Sequence, residues 1–438
     1  MRPRHWFRVH SWIGVIGGLL LFVLCWAGTV ATLSHEIDWV LTPASRVQPG
    51  AERASPDRLY NKVKAVYPQA SIARIHAPLY ARSAAQVIVD FPNQRSVRVY
   101  LDPYTAEVLG SSSYFSVQRF FRSFHISLFN NQWGLYLVWL LSIPLLVSMI
   151  APLVFYKRWW SRFFDLKTGR GSRVFWSNAH KLTGLWSLWF VLVIAVTGVW
   201  FLFEAIRYDL IDGKIAWANE GKSAVNELPL LPPGPALSLK DLLARVQQER
   251  PELEIKTLGF GRGGYFYVDG QAGHLLVRDR ANKLYFDASN GVVIYNQRAA
   301  DLSAYWRWSD SADPLHFGDF GGLPSKLIWF VFGLGLSGMC LTGTYLHVQR
   351  LGKEAGGRER ARWPGTTAAM IASLLVLAGS MHGGWQEIKD YGPVVNGSQQ
   401  WPDVPPAVTV FIAAWVLLTL GILGYWVWML WRSNRPVN

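Results

Sequence analysis

The chain has 438 residues, of which 51% are hydrophobic, 14% aromatic and only 16% charged. Such a composition is too apolar for an ordinary soluble enzyme of this length. The net charge of +14 would suit nucleic acid, but the basic residues lie beside the ends of apolar runs and not in one patch. The sequence therefore indicates a membrane protein with no nucleic-acid partner.

Six apolar runs approach the ~20 residues that a helix needs to cross the hydrocarbon of a bilayer. They cover residues 11–33, 133–156, 182–203, 327–346, 366–381 and 408–431, and the fifth is the shortest. A cleaved signal peptide is the alternative for the first run, but the third run is an internal copy of it. We expect six transmembrane helices.

The basic residues predict the orientation of these helices. They precede the first span, lie between spans two and three and between spans four and five, and follow span six: Arg2, Arg4, Arg8, Lys157, Arg158, Arg162, Lys167, Arg170, Arg173, Arg350, Lys353, Arg358, Arg360, Arg362, Arg432 and Arg435. If six helices alternate, all of these residues fall on one side, which the positive-inside rule makes cytoplasmic. This predicts a multi-pass protein of a bacterial inner membrane with both termini in the cytoplasm.

In chain order, the sequence divides into nine segments. They are a cytoplasmic N-terminus with the first span (1–33), a periplasmic α+β domain (34–124), the second span with its outer approach (125–156), a basic cytoplasmic loop (157–179), the third span (180–204), a second periplasmic α+β domain (205–322), the fourth span (323–347), a second basic loop (348–365), and a hairpin of two spans with a cytoplasmic C-terminus (366–438).

The two α+β domains follow one pattern. Helical spacing at 56–67 precedes strand-like runs at 71–76, 85–91 and 96–101, and helical spacing at 238–249 precedes runs at 253–259, 265–269, 274–277 and 283–286. Each domain then ends in a strand, a turn and a strand. The fold class is therefore a mainly α-helical polytopic membrane protein. We expect two span–domain–span units, related by a pseudo-twofold axis along the membrane normal, followed by the hairpin.

Four histidines repeat in step with the two units. His10 and His180 open spans one and three at the cytoplasmic end, while His125 and His316 lie at the outer approaches to spans two and four. A pseudo-twofold axis would place the imidazoles of His10 and His180 opposite each other, and likewise those of His125 and His316. Such a pair suits axial ligation of a b-type haem. Two haems, one near each face, would connect the two sides of the membrane. A single histidine at a helix end is more often an interfacial hydrogen-bonding group, and only the repetition favours ligation.

Other histidines provide alternatives. His347 ends span four and His382 ends span five, so either could replace one of the four, and His35 is a weaker candidate. The two cysteines, Cys25 and Cys340, lie within apolar spans, which excludes a disulfide framework, a cysteine-ligated cluster and a covalent haem motif.

For several charged residues, hypotheses rest only on their proximity in the sequence to the histidines. Arg119 and Arg122 could pair with a haem propionate, and Asp313 and Asp319 could orient the ring of His316. Glu36 and Glu204 could accept protons or bind cations, but they are interpreted as solvated charges at helix ends. No catalytic residue is identified.

The chain resembles the PepSY-associated transmembrane proteins. The resemblance rests on His10-x-x-x-Gly14, residues 101–108, Phe124-His125, His180-Lys181-Leu182-Thr183-Gly184 and residues 314–318, and it covers about residues 5–350. It implies PepSY-type domains outside the membrane and a link to iron uptake. Some members resemble haem-containing reductases of ferric siderophores, which implies a ferric siderophore as periplasmic partner and an electron donor that the sequence does not identify.

Two other functions remain open at this stage. A non-redox binding or regulatory protein would keep the histidines as structural residues and would be colourless. A transporter is favoured by the duplicated halves but is opposed by the expected lack of broken helices.

Overall fold

The computed structural model describes residues 2–164, 171–210, 231, 235–261, 263–274, 276–354 and 366–433. Six of the basic residues used to predict orientation lie outside the described residues: Lys167, Arg170, Arg358, Arg360, Arg362 and Arg435. So does most of the segment between the third span and the second α+β domain, residues 211–230.

Helices and strands alternate in blocks along the chain. In order they are α1 (Pro3–Ile16), α2 (Gly18–Thr32), α3 (Ser34–Leu41), α4 (Pro56–Val66), β1 (Ser71–His76), β2 (Ala85–Phe91), β3 (Gln94–Leu101), β4 (Val108–Ser112), α5 (Val117–Ser127), α6 (Asn131–Leu140), α7 (Ser142–Phe155), α8 (Ser172–Trp186), α9 (Leu188–Leu210), α10 (Leu239–Glu249), β5 (Glu254–Phe260), β6 (Tyr265–Gln271), β7 (Lys283–Asp287), β8 (Val293–Gln297), α11 (Ala304–Phe317), α12 (Gly322–Glu354), α13 (Thr366–Asp390), β9 (Val394–Val395), β10 (Ser398–Gln399) and α14 (Pro406–Ser433).

The chain is a multi-pass membrane protein by the length and apolar character of its helices. Five helical stretches among the described residues can cross a bilayer: Gln132–Phe155, Leu188–Asp209, Gly322–Leu351, Ala368–Asp390 and Pro406–Arg432. A sixth span forms if α1 and α2 are counted together, although they bend by 70° at their junction.

This bend corrects the prediction of unbroken spans. The first apolar run is interrupted at Gly17, and the third is interrupted at Ser187, between α8 and α9. Both breaks follow a predicted site residue by seven positions, since α1 carries His10 and α8 carries His180. His180 therefore lies on a separate short helix and not on the helix that can span the bilayer.

The α+β segments join into a single antiparallel sheet. Its strand order is β4-β3-β2-β1-β5-β6-β7-β8, and the two sets of four strands meet where Ile75 pairs with Leu258 and His76 with Thr257. One continuous apolar core lies under both sets, including Val87 and Val99 from the first and Phe266 and Phe286 from the second. Alternate residues of each strand point away from this core, as the period of two requires.

Equivalent serines begin the helices beside the sheet. The hydroxyl of Ser55 accepts from the amide of Arg58 at the start of α4, and that of Ser238 accepts from Asp241 at the start of α10. Ser116 and Ser303 cap α5 and α11 in the same way. Each half thus begins its helices with the same local chemistry.

One predicted strand is wrong. The run at 274–277 is not a strand in its described residues, because Gly273 and Leu276 have φ angles of +74° and +62° and the chain turns there. Gly259, Gly261 and Gly264 lie at the hairpin between β5 and β6, so the letters Gly-x-Gly-x-x-Gly there do not open a helix as a dinucleotide-binding motif would.

The C-terminal hairpin also contacts the sheet. Its connection between α13 and α14 contains the short β9–β10 ribbon, whose turn is Asn396-Gly397 with φ angles of +52° and +73°. The amide of Val394 donates to the carbonyl of Asn93 at the β2–β3 turn over 2.7 Å. The hairpin is therefore fixed to the outside of the sheet as well as to the helix bundle.

Candidate functional site

The four repeated histidines form two facing pairs. The ring centres of His10 and His180 are 6.3 Å apart, and those of His125 and His316 are 6.2 Å apart. We call His125 and His316 the sheet-side pair, because they line a cavity that reaches the sheet, and His10 and His180 the far-side pair.

The separation within each pair fits two imidazoles on one metal centre. Two metal–nitrogen bonds of about 2 Å each place the ring centres about 6 Å apart. Among the described residues, no group of three or more His, Cys, Asp or Glu side chains could hold a bare metal ion. Paired histidines instead suit a metal that brings its own equatorial nitrogens, as haem does.

Hydrogen bonds at Nδ1 define the tautomer of the rings. Nδ1 of His10 donates to the carbonyl of Ser148 over 2.9 Å, and Nδ1 of His125 donates to the carbonyl of Leu24 over 3.0 Å. A carbonyl can only accept, so the proton of each ring sits on Nδ1. This leaves Nε2 as an unprotonated donor of an electron pair.

His180 and His316 reach the same tautomer through threonines. Nδ1 of His180 lies 2.9 Å from Thr342 Oγ1, which itself donates to the carbonyl of Gly338. Nδ1 of His316 lies 2.8 Å from Thr197 Oγ1, which donates to the carbonyl of Val193. Each hydroxyl proton is already used, so each threonine accepts from Nδ1–H. All four rings therefore present Nε2 for ligation, with Nδ1 held by a second partner.

The sequence provides the two carbonyl acceptors in different ways. Ser148 lies four residues before Pro152, which has no amide proton for the usual helix bond. Its carbonyl is therefore available to His10. Leu24 lies four residues before Gly28, and a Cβ at Gly28 would lie 2.5 Å from Cε1 of His125 and 3.1 Å from Nε2. Only glycine at this position lets the ring of His125 approach α2 so closely.

Two cavities flank the sheet-side pair. The larger, about 890 Å³, is lined in the helix bundle by His125, His316, Phe190 and Gly333, and it reaches Asp269 on the sheet. The smaller, about 330 Å³, lies against the same two histidines and is lined by Leu21, Val138 and Gly198. Both are mainly apolar beside the histidines, and together they leave space on two sides of the ring pair.

Charged groups gather where the larger cavity approaches the sheet. Arg280 contacts Asp310 over 2.8 Å and Asp313 over 3.2 Å, and Arg278 forms an ion pair with Asp313. Arg122 and Lys326 also line this cavity. Burial raises the pKa of Asp313, while the charge of Arg278 opposes that shift. The cavity therefore has an apolar floor at the histidines and a polar, mostly ion-paired rim.

These contacts revise several hypotheses made from proximity. Asp313 binds arginines, and the group that holds Nδ1 of His316 is Thr197. Arg119 is paired with Glu387 over 2.9 Å and does not line either cavity, whereas Arg122 lines both. Of the two arginines, Arg122 alone faces the space beside the histidines.

Glu36 and Glu204 are not solvated charges. Glu36 accepts from Tyr80 over 2.5 Å and from Lys326 over 2.8 Å, and the side chain of Lys326 is 8% exposed. Glu204 accepts from Arg207 and Tyr305. Burial acts to raise the pKa of Glu36, but the bonds from Lys326 and Tyr80 outweigh it and the net shift is downward.

The alternative histidines lie in different surroundings. Nδ1 of His347 accepts from Arg350 over 3.0 Å, because a guanidinium cannot accept, and the ring proton is therefore on Nε2. His382 is exposed and contacts Gln386. His35 lies on the wall of the larger cavity, and its side chain is exposed there.

Sequence reasoning missed the groups that hold the rings. Ser148, Thr342 and Leu24 were not identified, because two of these contacts use backbone carbonyls that any residue carries. The bond of Thr197 to His316 was not identified either. The one available signal was Pro152 inside an apolar helix.

A comparison with known families identifies the family of this chain. The family described as the PepSY-associated TM region matches residues 7–350. The chain therefore belongs to the PepSY-associated transmembrane family. A relative, an uncharacterized protein of Pseudomonas aeruginosa, is 24% identical over 275 residues, which cover 58% of this chain and 69% of the relative. The matched family region ends before the C-terminal hairpin.

Proposed function

We propose that this protein is a di-haem b oxidoreductase of the bacterial inner membrane that passes electrons across the bilayer to ferric iron in a siderophore. The observation that carries the proposal is the pair of facing imidazoles at two levels, 6.3 Å and 6.2 Å between ring centres, each ring with its Nδ1 proton engaged. Structural histidines would not need the same tautomer at four places in the bundle.

The histidines would hold one haem in each pair. A b-type haem with two imidazole ligands supplies reversible one-electron transfer. This chain orients the ligands through Thr197, Thr342 and the two carbonyls, and it surrounds the sheet-side pair with apolar side chains. Arg122, at the rim of the cavities, is placed to neutralise a carboxylate there.

One helix connects the two levels. On α12, Gly333 lines the larger cavity and Thr342 binds His180. Their separation of nine positions in the chain corresponds to about 14 Å along the helix axis at about 1.5 Å per residue. That is about half of the ~30 Å hydrocarbon thickness, so two centres at these levels would divide the crossing into short steps.

The direction in which electrons would cross the membrane is inferred from the positions of the basic residues. The basic termini and loops suggest that the far-side pair lies near the cytoplasm and that the sheet lies in the periplasm. The donor at the cytoplasmic side is unidentified. The symmetric strand order and the matched helix breaks at Gly17 and Ser187 support an internal duplication around an axis along the membrane normal.

The larger cavity supports a chelate as the electron acceptor. Its volume of about 890 Å³ lies within the range of sites for small molecules, and it extends from the histidines to polar residues of the sheet. Reduction of Fe(III) in a chelate consumes one electron and yields Fe(II), which oxygen ligands hold more weakly. This supports a role in iron release and uptake.

The test is a visible spectrum of the detergent-purified protein, oxidised and reduced with dithionite, together with a haem assay. We expect about two b haems per chain. His125→Ala and His316→Ala should each remove the same haem, and His10→Ala and His180→Ala the other. His5→Ala, which changes an exposed histidine, is the matched control. Electron transfer from the reduced protein to a ferric siderophore then tests the acceptor.

A non-redox binding protein is the second candidate, and the size of the cavity favours it equally well. It predicts a colourless protein, even when the cells are supplied with haem, and it predicts that His125→Ala leaves ligand binding intact. A protein without haem would contradict the reductase proposal.

A further inference from the structure

The C-terminal hairpin contacts the helix that carries His125 at several points. Residues 366–433 lie outside the matched family region, and their lipid-facing sides are exposed, as at Met381. Their inner side packs on α5. This raises the question of what the hairpin adds to a bundle that already contains all four histidines.

Two side chains of α5 and one that directly follows α13 converge on the carboxylate of Glu387. Glu387 Oε1 accepts from Arg119 over 2.9 Å, from Ser123 over 2.6 Å and from the Tyr391 hydroxyl over 3.3 Å. The side chains of Arg119 and Glu387 are 28% and 22% exposed. The two bonds from α5 are made to a partly buried carboxylate, so they fix α5 against α13 more strongly than a surface ion pair would.

Aromatic packing fixes the same helix from the other arm of the hairpin. Trp415 of α14 contacts Phe121 with ring centres 4.9 Å apart, and it also contacts Phe120 and Phe124. Phe124 immediately precedes His125. Both helices of the hairpin therefore contact the turn of α5 that carries His125.

The end of α5 has a costly backbone conformation. Leu128 and Phe129 have φ angles of +50° and +56°, which side chains other than glycine rarely adopt. Such residues persist only where the surroundings hold them. Gly383 and Gly384 of α13 do so, since a Cβ there would lie 2.3 Å from the Phe129 carbonyl oxygen and 3.0 Å from its ring.

We propose that the C-terminal hairpin is a clamp that positions His125, with Glu387 as its central positioning residue, and this inference rests on the proposed haem-binding function. Asp38, which accepts from the amides of Val117 and Gln118, holds the start of α5. The hairpin holds its middle and end. His125 would keep its bond to Leu24, and its partnership with His316, only while α5 is held at both ends.

The test compares variants of the full-length protein in detergent. Glu387→Ala removes all three bonds. Glu387→Gln removes the charge but keeps an acceptor, and the exchange of Arg119→Glu with Glu387→Arg restores the pair in reverse. Met381→Ala, at a site that is 79% exposed on the same helix, is the matched control. Two readouts are used: the haem spectrum and hydrogen exchange of the amides of residues 117–130.

We expect Glu387→Ala to perturb only the sheet-side haem, which should lose its low-spin spectrum, and to speed exchange over 117–130 by about 10-fold or more. The charge exchange should restore both signals in part, and Met381→Ala should change neither. Two unperturbed haems in Glu387→Ala would overturn the clamp while leaving the proposed function intact. If the wild-type protein binds no haem, the proposed function fails, and unchanged exchange in Glu387→Ala would then overturn the clamp separately.

Discussion

The two histidine pairs have nearly equal ring separations but different surroundings. The two sheet-side rings are inclined by 39° to each other and line two cavities, and the ring of His125 lies against Gly28. The far-side rings are inclined by 69°, and their neighbours include Phe155. Neither far-side histidine lines either cavity described above.

The difference suggests a division of labour between the levels. A centre that lies beside a large cavity with a polar rim can meet a soluble acceptor. A centre away from such a cavity would receive electrons and pass them on. Under the proposed function, the nearly equal ring separations mean that the surroundings of each pair, and not the distance between its rings, would distinguish the two roles.

The largest expected effect comes from the replacement of Gly28. Gly28→Ala would place a Cβ 2.5 Å from Cε1 of His125, and the ring would have to leave the Leu24 carbonyl. We expect the loss of the sheet-side haem, seen as about one haem per chain in place of two. Gly343→Ala is the matched change at the other level, where the nearest atom, Cε1 of His180, is 3.4 Å away, an ordinary contact. A variant Gly28→Ala that retains both haems would contradict this account of the close approach.

A smaller effect is expected from replacing the two threonines whose hydroxyls accept from Nδ1 of a histidine. Thr197→Val removes the acceptor of His316, and Thr342→Val removes that of His180. Loss of such an outer partner typically weakens metal binding by about 10–100-fold. Each change should weaken haem binding at its own level only, as measured by haem retention during titration with a competing apoprotein. Thr409→Val, at an exposed position of α14, should be neutral. If both levels respond to either change, the levels are not independent.

The histidines themselves could be predicted because their cost in an apolar chain makes a repeat conspicuous. Strand boundaries were also predictable: β1 and β2 coincide with the predicted runs, since β-branched residues such as Val87, Ile88 and Val89 favour a strand through a local property of the sequence. The bend at Gly17 was not predictable, because an apolar run has the same composition whether it is straight or bent.

Partners distant in the chain were the main gap between sequence and structure. Glu36 was interpreted as solvated, but its partner Lys326 lies 290 residues away. Glu387 and Arg119 are separated by 268 residues. No local pattern encodes such pairs, and the repeat does not either, because α13 and α14 have no counterpart in the first half.

A still smaller effect, confined to the far-side pair, is expected from Pro152→Ala. The new amide would compete with His10 for the Ser148 carbonyl, which can accept two bonds, so the contact should weaken without being lost. We expect a change of less than about 10-fold in far-side haem retention, below the range for complete loss of such a partner. Pro144→Ala in the same helix is the control, since its carbonyl partner, at Leu140, holds no histidine. An effect on the sheet-side haem would show that Pro152 acts through the bundle and not through His10.

The last expected effect is on stability and not on haem binding, and it concerns the wall of the larger cavity that the sheet provides. Burial raises the pKa of Asp269 from 3.8 to about 6, the nearby charge of Lys283 opposes the shift, and Oδ1 lacks a hydrogen-bond partner among the described residues. Because the folded pKa lies above the unfolded one, the folded state binds the proton more tightly, and its stability falls as the pH rises between these values. Asp269→Asn removes this penalty, which is about 1–3 kcal/mol at neutral pH. The variant should therefore melt at a higher temperature than the wild type at neutral pH, with the difference shrinking towards the unfolded pKa. Asp301→Asn, at an exposed carboxylate, should show no such trend. A pH-independent difference would mean that Asp269 acts through packing and not through its charge.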